Sequence, residues 1–196
     1  MIIKYDDEEE RKKFLTKNKN QLERIEWLVT SLLKISRLDS GSEVLKLKET
    51  SISDVIKKSL EPLKIPMELK SISYNVDCPS DIKANIDINW TSEALINIIK
   101  NAYEHTNEKG SISISVTNNP IYVELRISDT GCGISKDDIG HVFERFYRGK
   151  STNKESIGIG LNMAKKIIEL EHGDIVVESK IDVGTTFIIK FYKSII

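Results

Sequence analysis

The chain has 196 residues, 39% of them hydrophobic and 30% charged, with a formal net charge of -1. That length holds one sizeable domain, or a medium one with an appendage, and the composition excludes a disordered or collagen-like polymer. The near-neutral charge gives no reason to expect nucleic acid or an anionic membrane as a partner, and two isolated cysteines, Cys78 and Cys132, read as reduced thiols of a cytosolic protein.

Met1-Ile2-Ile3-Lys4 leads into acidic residues, unlike a signal peptide, and every apolar run is broken by Lys or Glu before it reaches transmembrane length. The chain is therefore expected to be cytoplasmic. Acid residues from Asp6 to Glu10 precede Arg11-Lys12-Lys13, the order that a helix dipole favours. Leu15, Leu22, Ile25, Leu28, Leu32 and Ile35 then recur at spacings of seven, three, three, four and three, a heptad-like seam on a long helix that Gly41 can cap. Such a seam either packs on its own domain or pairs with another chain. A second helix is expected over Ser51–Leu63, with Ser51 or Ser53 as N-cap and Pro66 beyond its end.

Ser71–Val76 and Ile82–Ile86 read as short strands separated by Cys78-Pro79-Ser80-Asp81. Asn89 is expected to cap a helix from Trp90 to His105 with Leu95, Ile98, Ile99 and Ala102 on its apolar face. Ile112, Ile114 and Val116 alternate with polar residues, Asn118-Asn119-Pro120 turns the chain, and Ile121, Val123, Leu125 and Ile127 alternate on the way back. An irregular stretch fills Ser135–Ser156, a helix follows from Gly158 to Glu171, and a last hairpin uses Ile175/Val177 and Phe187/Ile189/Phe191. The expected fold class is α+β, a two-layer sandwich with a mixed, mostly antiparallel sheet and helices on one face, preceded by the long helix. Alternating βαβ units and a G-x-x-x-x-G-K-[ST] loop are both missing, which argues against Rossmann and P-loop folds.

Three clusters carry chemistry. Asn97 and Asn101 are four apart on one helix face, where two carboxamides either bridge backbone or meet a ligand; their oxygens suit Mg2+. Asp129-Thr130-Gly131-Cys132-Gly133-Ile134 ends a strand, so its carboxylate can accept from an exocyclic amine while the glycines permit close backbone approach. Gly158-Ile159-Gly160-Leu161 opens a helix whose free N–H groups suit phosphates. Between them, Phe143 and Phe146 beside Arg145 and Arg148 read as a packed loop or as a lid carrying positive charge.

Together, Glu93–Thr106, Asp129–Ile134, Val142–Arg148 and Gly158–Leu161 resemble the N, G1, F and G2 boxes of the histidine-kinase ATP-binding domain, and Gly184-Thr185-Thr186-Phe187 is similar to its closing strand. The resemblance covers Ser51 to the C-terminus. Residues 22–41 look like the second helix of the dimerisation domain, which implies domains at 1–41 and 42–196. It implies the Bergerat ATP-binding sandwich shared with gyrase, Hsp90 and MutL-type ATPases. In that fold Asn101 ligates Mg2+ with Asn97 in support, Asp129 binds the adenine amine, and Gly131, Gly133 and Ile134 shape its pocket. Gly158, Ile159, Gly160 and Leu161 reach the phosphates, Thr185 lies on the closing strand, and Ser135–Ser156 closes over ATP with Arg145, Tyr147 and Arg148.

Two departures stand out. Glu104-His105 replaces the family's frequent Lys-Tyr pair, so the basic phosphate contact falls to Arg145, Arg148, Lys150 or Lys154; Ser156 replaces the first glycine of the G2 box. None of His105, His141 and His172 precedes an acidic residue, so the chain begins after the phosphoacceptor and holds no catalytic histidine. The resemblance implies phosphoryl transfer from Mg-ATP to a histidine outside the chain. It further implies a homodimer in the intact protein, a response regulator as partner, and membrane attachment only through regions absent here. The alternatives are an anti-sigma-type serine kinase or related Bergerat ATPase, and a non-catalytic dimerisation module.

Overall fold

The computed structural model describes residues 8–149 and 157–193, which fall into two compact units divided after Ser42. The first unit is one helix, α1 (Glu8–Asp39), with three glutamates in its first turn and Arg37 in its last. Glu8–Lys12, Glu9–Lys13 and Lys19–Glu23 pair one turn apart at 3.5, 2.9 and 3.7 Å. On so exposed a surface such pairs contribute a few tenths of a kcal/mol each. Leu15, Leu22, Ile25 and Leu32 of the heptad seam stand 41–67% exposed.

The second unit runs β1 (Lys48–Ser51), α2 (Ile52–Leu60), a 3-10 turn (Glu61–Leu63), α3 (Lys64–Leu69), β2 (Ser73–Asp77), β3 (Lys83–Ile86), α4 (Ile88–His105), β4 (Ser111–Asn118), β5 (Tyr122–Asp129), α5 (Lys136–Ile139), α6 (Gly160–Leu170), β6 (Gly173–Lys180) and β7 (Gly184–Tyr192). Five strands form one sheet in the order β2-β4-β5-β7-β6, parallel at β2–β4 and antiparallel elsewhere. Alternation along the strands buries one row, with Val123, Leu125 and Ile127 on β5 and Phe187, Ile189 and Phe191 on β7. Leu95, Ile98, Ile99 and Ala102 of α4 and Met163, Ala164, Ile167 and Ile168 of α6 complete that core. Each large apolar side chain so buried stabilises by about 1.5–3 kcal/mol relative to exposure. The other row is polar, and Glu124 there takes Arg126 at 2.7 Å and Lys190 at 3.8 Å. The fold is thus the expected α+β sandwich with a mixed sheet.

Three details differ from the sequence reading. The second helix ends at Leu60, three residues short of the expected Leu63, and after a 3-10 turn the chain enters a separate α3 with Pro66 in its first turn, where no intrahelical donor is needed. Asp87, not Asn89, caps α4, accepting from the N–H groups of Asn89 (2.9 Å) and Trp90 (3.3 Å), while Asn89 Oδ1 accepts from Lys58. Strand β1 was not anticipated; it pairs antiparallel with β3 in a separate two-stranded sheet. Strand β2 forms the edge of the main sheet beside β4.

Candidate functional site

The end of β5, the C-terminal end of α4 and the β6–β7 turn meet around Asp129. Asp129 is buried, and its Oδ1 accepts from the backbone N–H groups of Gly131 (2.8 Å) and Thr185 (3.3 Å). Among the described residues Oδ2 carries no such bond. Burial pushes the Asp129 carboxyl above its ordinary range, opposed by those two N–H groups and by His105. Oδ2 can therefore accept an N–H from a ligand.

The loop after Asp129 is tied on both sides. His105, ending α4, offers its carbonyl to Cys132 N–H (3.3 Å), and the same carbonyl passes so close to Gly131 that a Cβ there would stand 2.5 Å away. Burial lowers the His105 pKa, Lys70 lowers it further, and Asp129 opposes both. At Gly133, φ is +71° and a Cβ would meet the Lys180 carbonyl at 2.1 Å. Cys132 O accepts from Asp182 N–H (2.9 Å) and Ile134 N–H donates to Ser179 Oγ (2.8 Å), which also lies 2.9 Å from the Thr185 hydroxyl.

On α4, Asn97 is buried and donates through Nδ2 to Glu93 O (2.9 Å), and its Oδ1 lies toward the first turn of α6. A Cβ on Gly160 would stand 2.8 Å from that oxygen, so a larger residue there would push the Asn97 carboxamide aside. Asn101 lies one turn further on, half-buried. Ile159 is buried at the N-cap of α6 and makes no side-chain cap bond, while Leu161 is half-buried. Glu104 pairs with Lys100 at 3.8 Å instead of presenting positive charge.

The described part of the irregular stretch is more ordered than its composition suggested. Ser135 caps α5, and Asp138 takes the Ser135 hydroxyl (2.9 Å) and the Tyr147 hydroxyl (2.6 Å). The bond to Asp138 is the main reason that the Tyr147 pKa is pushed up to about 12. Phe143 meets Phe187 edge-on at 6.2 Å, with Lys165 over its ring. Phe146 does not pack as a loop residue would: it is 59% exposed at φ +63°, with its N–H on Gly158 O (2.8 Å). Arg145 donates through Nε to Asn162 Oδ1 (3.1 Å), and Arg148 is exposed. Lys150, Lys154 and Ser156 lie outside the described residues. Ser179, Asn162, Asp138 and Gly184 were not predicted as site residues. Gly184 alone left a signal, since it opens the closing strand; its φ is +136° and a Cβ would stand 1.9 Å from Asp129 O.

Known proteins resemble this chain in sequence and fold. The sensor-like histidine kinase SenX3 of Mycobacterium tuberculosis is 26% identical over 95% of this chain and 46% of its own length. The heme sensor protein HssS of Staphylococcus saprophyticus is 31% identical over 85% of this chain and 36% of its own. The chain thus spans less than half the length of these relatives. A crystal structure of histidine kinase ThkA in complex with response regulator protein TrrA superposes with a TM-score of 0.77 at 27% identity, over 97% of this chain and 53% of that one. Residues 86–195 match the family model described as histidine kinase-, DNA gyrase B- and HSP90-like ATPase, and the chain belongs to that family.

Proposed function

We propose that residues 42–196 close over Mg-ATP as the catalytic domain of a two-component sensor histidine kinase, passing the γ-phosphoryl group to a histidine outside these 196 residues. The observation that carries the reading is Asp129: a buried carboxylate with Oδ1 taken by two backbone N–H groups and Oδ2 left for an exocyclic amine, the donor that adenine presents. Gly131, Gly133, Ile134, His105 and Thr185 wall that pocket. The α6 N-terminus at Gly158–Leu161 offers N–H groups to the phosphates, and Arg145 and Arg148 bring positive charge from the lid.

The residues present fit Mg2+. Among the described residues no three His, Cys, Asp or Glu side chains converge to hold a metal unaided. Mg2+ takes one or two protein oxygens and completes its shell with phosphates and water, which a single Asn101 carboxamide satisfies. When bound, the ion neutralises phosphate charge during transfer. Asn97, oriented by Glu93 O, supports Asn101 from the preceding turn.

Residues 1–41 are read as the second helix of a dimerisation hairpin, whose exposed seam pairs in the intact protein. The partner that accepts the phosphoryl group onward is a response regulator, as the complex of ThkA with TrrA supports. No described helix is long and apolar enough to cross a membrane; this portion is proposed to lie in the cytoplasm, with any membrane anchor elsewhere in the intact protein.

Titrating ATP with and without Mg2+ tests the assignment. Asn101→Ala is expected to weaken Mg-ATP binding about tenfold, one charge-assisted contact, and to abolish its dependence on Mg2+. With γ-labelled ATP the chain should acquire no acid-labile, base-stable phosphate; self-labelling on histidine would contradict an acceptor outside the chain.

A further inference from the structure

The register pairs Asp129 of β5 with Thr185 of β7, and Thr185 in turn with Ser179 of β6, so these polar side chains stand side by side in one row. Two residues along the strands the same row is apolar, with Ile127, Phe187 and Val177, so the polar residues close the helix-facing side of the sheet at the end where Asp129 lies. Thr185 sits between the other two and is 6% exposed. Among the described residues its hydroxyl has no partner but the Ser179 hydroxyl, at 2.9 Å.

A serine hydroxyl has one hydrogen to give and two lone pairs with which to accept. Ser179 Oγ accepts from Ile134 N–H at 2.8 Å and lies 2.9 Å from Gly184 O. A carbonyl can only accept, so the Ser179 hydrogen goes to Gly184 O and the remaining lone pair is left for Thr185. Any other assignment leaves Gly184 O facing an oxygen lone pair. The Thr185 hydrogen is thereby drawn to Ser179, and the Thr185 oxygen turns only lone pairs toward its other neighbour in the row, Asp129. Since Asp129 Oδ2 is an acceptor as well, this pair of side chains can receive a hydrogen bond and cannot give one.

We propose that Ser179 is a positioning residue that sets base specificity. By holding the Thr185 hydroxyl as an acceptor beside Asp129, it favours a purine whose exocyclic group is an amine over one whose exocyclic group is a carbonyl. This rests on the reading that Asp129 meets the base of bound nucleotide.

The test is calorimetric titration of Mg-ATP into the full chain, with Mg-ITP, the hypoxanthine counterpart, measured at millimolar concentration by displacement of ATP. The proteins are wild type, Ser179→Ala, Ser179→Thr, Thr185→Val and the double variant Ser179→Ala with Thr185→Val. Without the Ser179 acceptor the Thr185 hydroxyl can turn and donate to a carbonyl. Ser179→Ala is therefore expected to tighten ITP about threefold and weaken ATP about threefold, so that the preference for ATP falls about tenfold, the size of one hydrogen bond reversed. A merely structural role would weaken both nucleotides together. Ser179→Thr retains the hydroxyl and should retain the wild-type preference. Adding Ser179→Ala to Thr185→Val should leave the preference where Thr185→Val alone puts it, because Ser179 acts through that hydroxyl. ITP no tighter on Ser179→Ala than on wild type, or a preference that shifts as far with Thr185 already removed, would each overturn the assignment. Should circular dichroism show Ser179→Ala unfolded, Ser179→Cys, close in size and a weak hydrogen bonder, takes the same test. A wild type that binds ATP and ITP equally overturns this inference alone; a wild type that binds neither overturns the nucleotide reading as well.

Discussion

Gly133 sits where two demands coincide, a left-handed backbone at φ +71° and a carbonyl, that of Lys180, 2.1 Å from where a Cβ would be. A flexible side chain could move aside; a paired strand end cannot. Gly133→Ala is therefore expected to destabilise the protein by about 2–3 kcal/mol, combining φ strain with a backbone shift, measured by denaturant unfolding. Asp129 presents the opposite balance. Its folded pKa is raised by burial, so ionised Asp129 costs stability that is recovered as pH falls through the folded value. Asp129→Asn keeps the Oδ1 acceptor and removes the buried charge. It should raise the melting temperature of the nucleotide-free protein while weakening ATP, the exchange of stability for function common at binding sites. A lower melting temperature would place the strain elsewhere.

Between elements, α4 and α6 are joined at their far ends by a second buried carboxyl. Glu171, just past α6, accepts from Asp87 N–H (2.9 Å) at the cap of α4 and lies 2.8 and 3.0 Å from Thr91 Oγ1, which itself lies 2.8 Å from Asp87 O. The Thr91 hydroxyl has one hydrogen for these acceptors, so when it bonds Asp87 O the Glu171 carboxyl needs its own proton to bond Thr91. Burial pushes the Glu171 pKa from 4.5 up to about 7. Between those values the folded protein holds a proton that the unfolded chain has released, so stability is full at and below pH 4.5 and declines as pH rises through 7. The decline from this group is on the order of 3 kcal/mol. Glu171→Gln, with an N–H in place of the proton, should flatten that slope and stabilise the protein at pH 8. An unchanged slope in urea unfolding from pH 5 to 8 would show that Glu171 is not its source. Elements differ in how plainly sequence announces them. The β4–β5 hairpin was legible because period-two alternation fixes which row is buried. Strand β1, Lys48-Glu49-Thr50-Ser51, has no apolar row at all and exists through its ladder with β3. The capping of α4 was misplaced by two residues because Asp87 and Asn89 are both good caps, and only the fold shows that Asn89 is engaged by Lys58.

Across the whole molecule, the candidate site residues legible in the sequence are those whose type is dictated locally: glycines at close approaches, an aspartate ending a strand, asparagines one turn apart. Ser179 and Asn162 stayed hidden because their bonds span 45 and 17 residues and leave no periodic mark. The two units invite separate tests. The seam of α1, with Leu22 67% and Ile25 55% exposed, predicts concentration-dependent self-association in sedimentation equilibrium, reduced by Leu22→Glu with Ile25→Glu; a strict monomer at high concentration would remove the dimer. For the nucleotide unit the deciding measurement is calorimetric titration of Mg-ATP into wild type and Asp129→Ala. Saturable one-to-one binding is expected for the wild type, with about a hundredfold loss in Asp129→Ala, because the truncation removes the charged acceptor that pairs with the adenine amine. No binding by the wild type, or equal binding by both proteins, would contradict a nucleotide site built around Asp129.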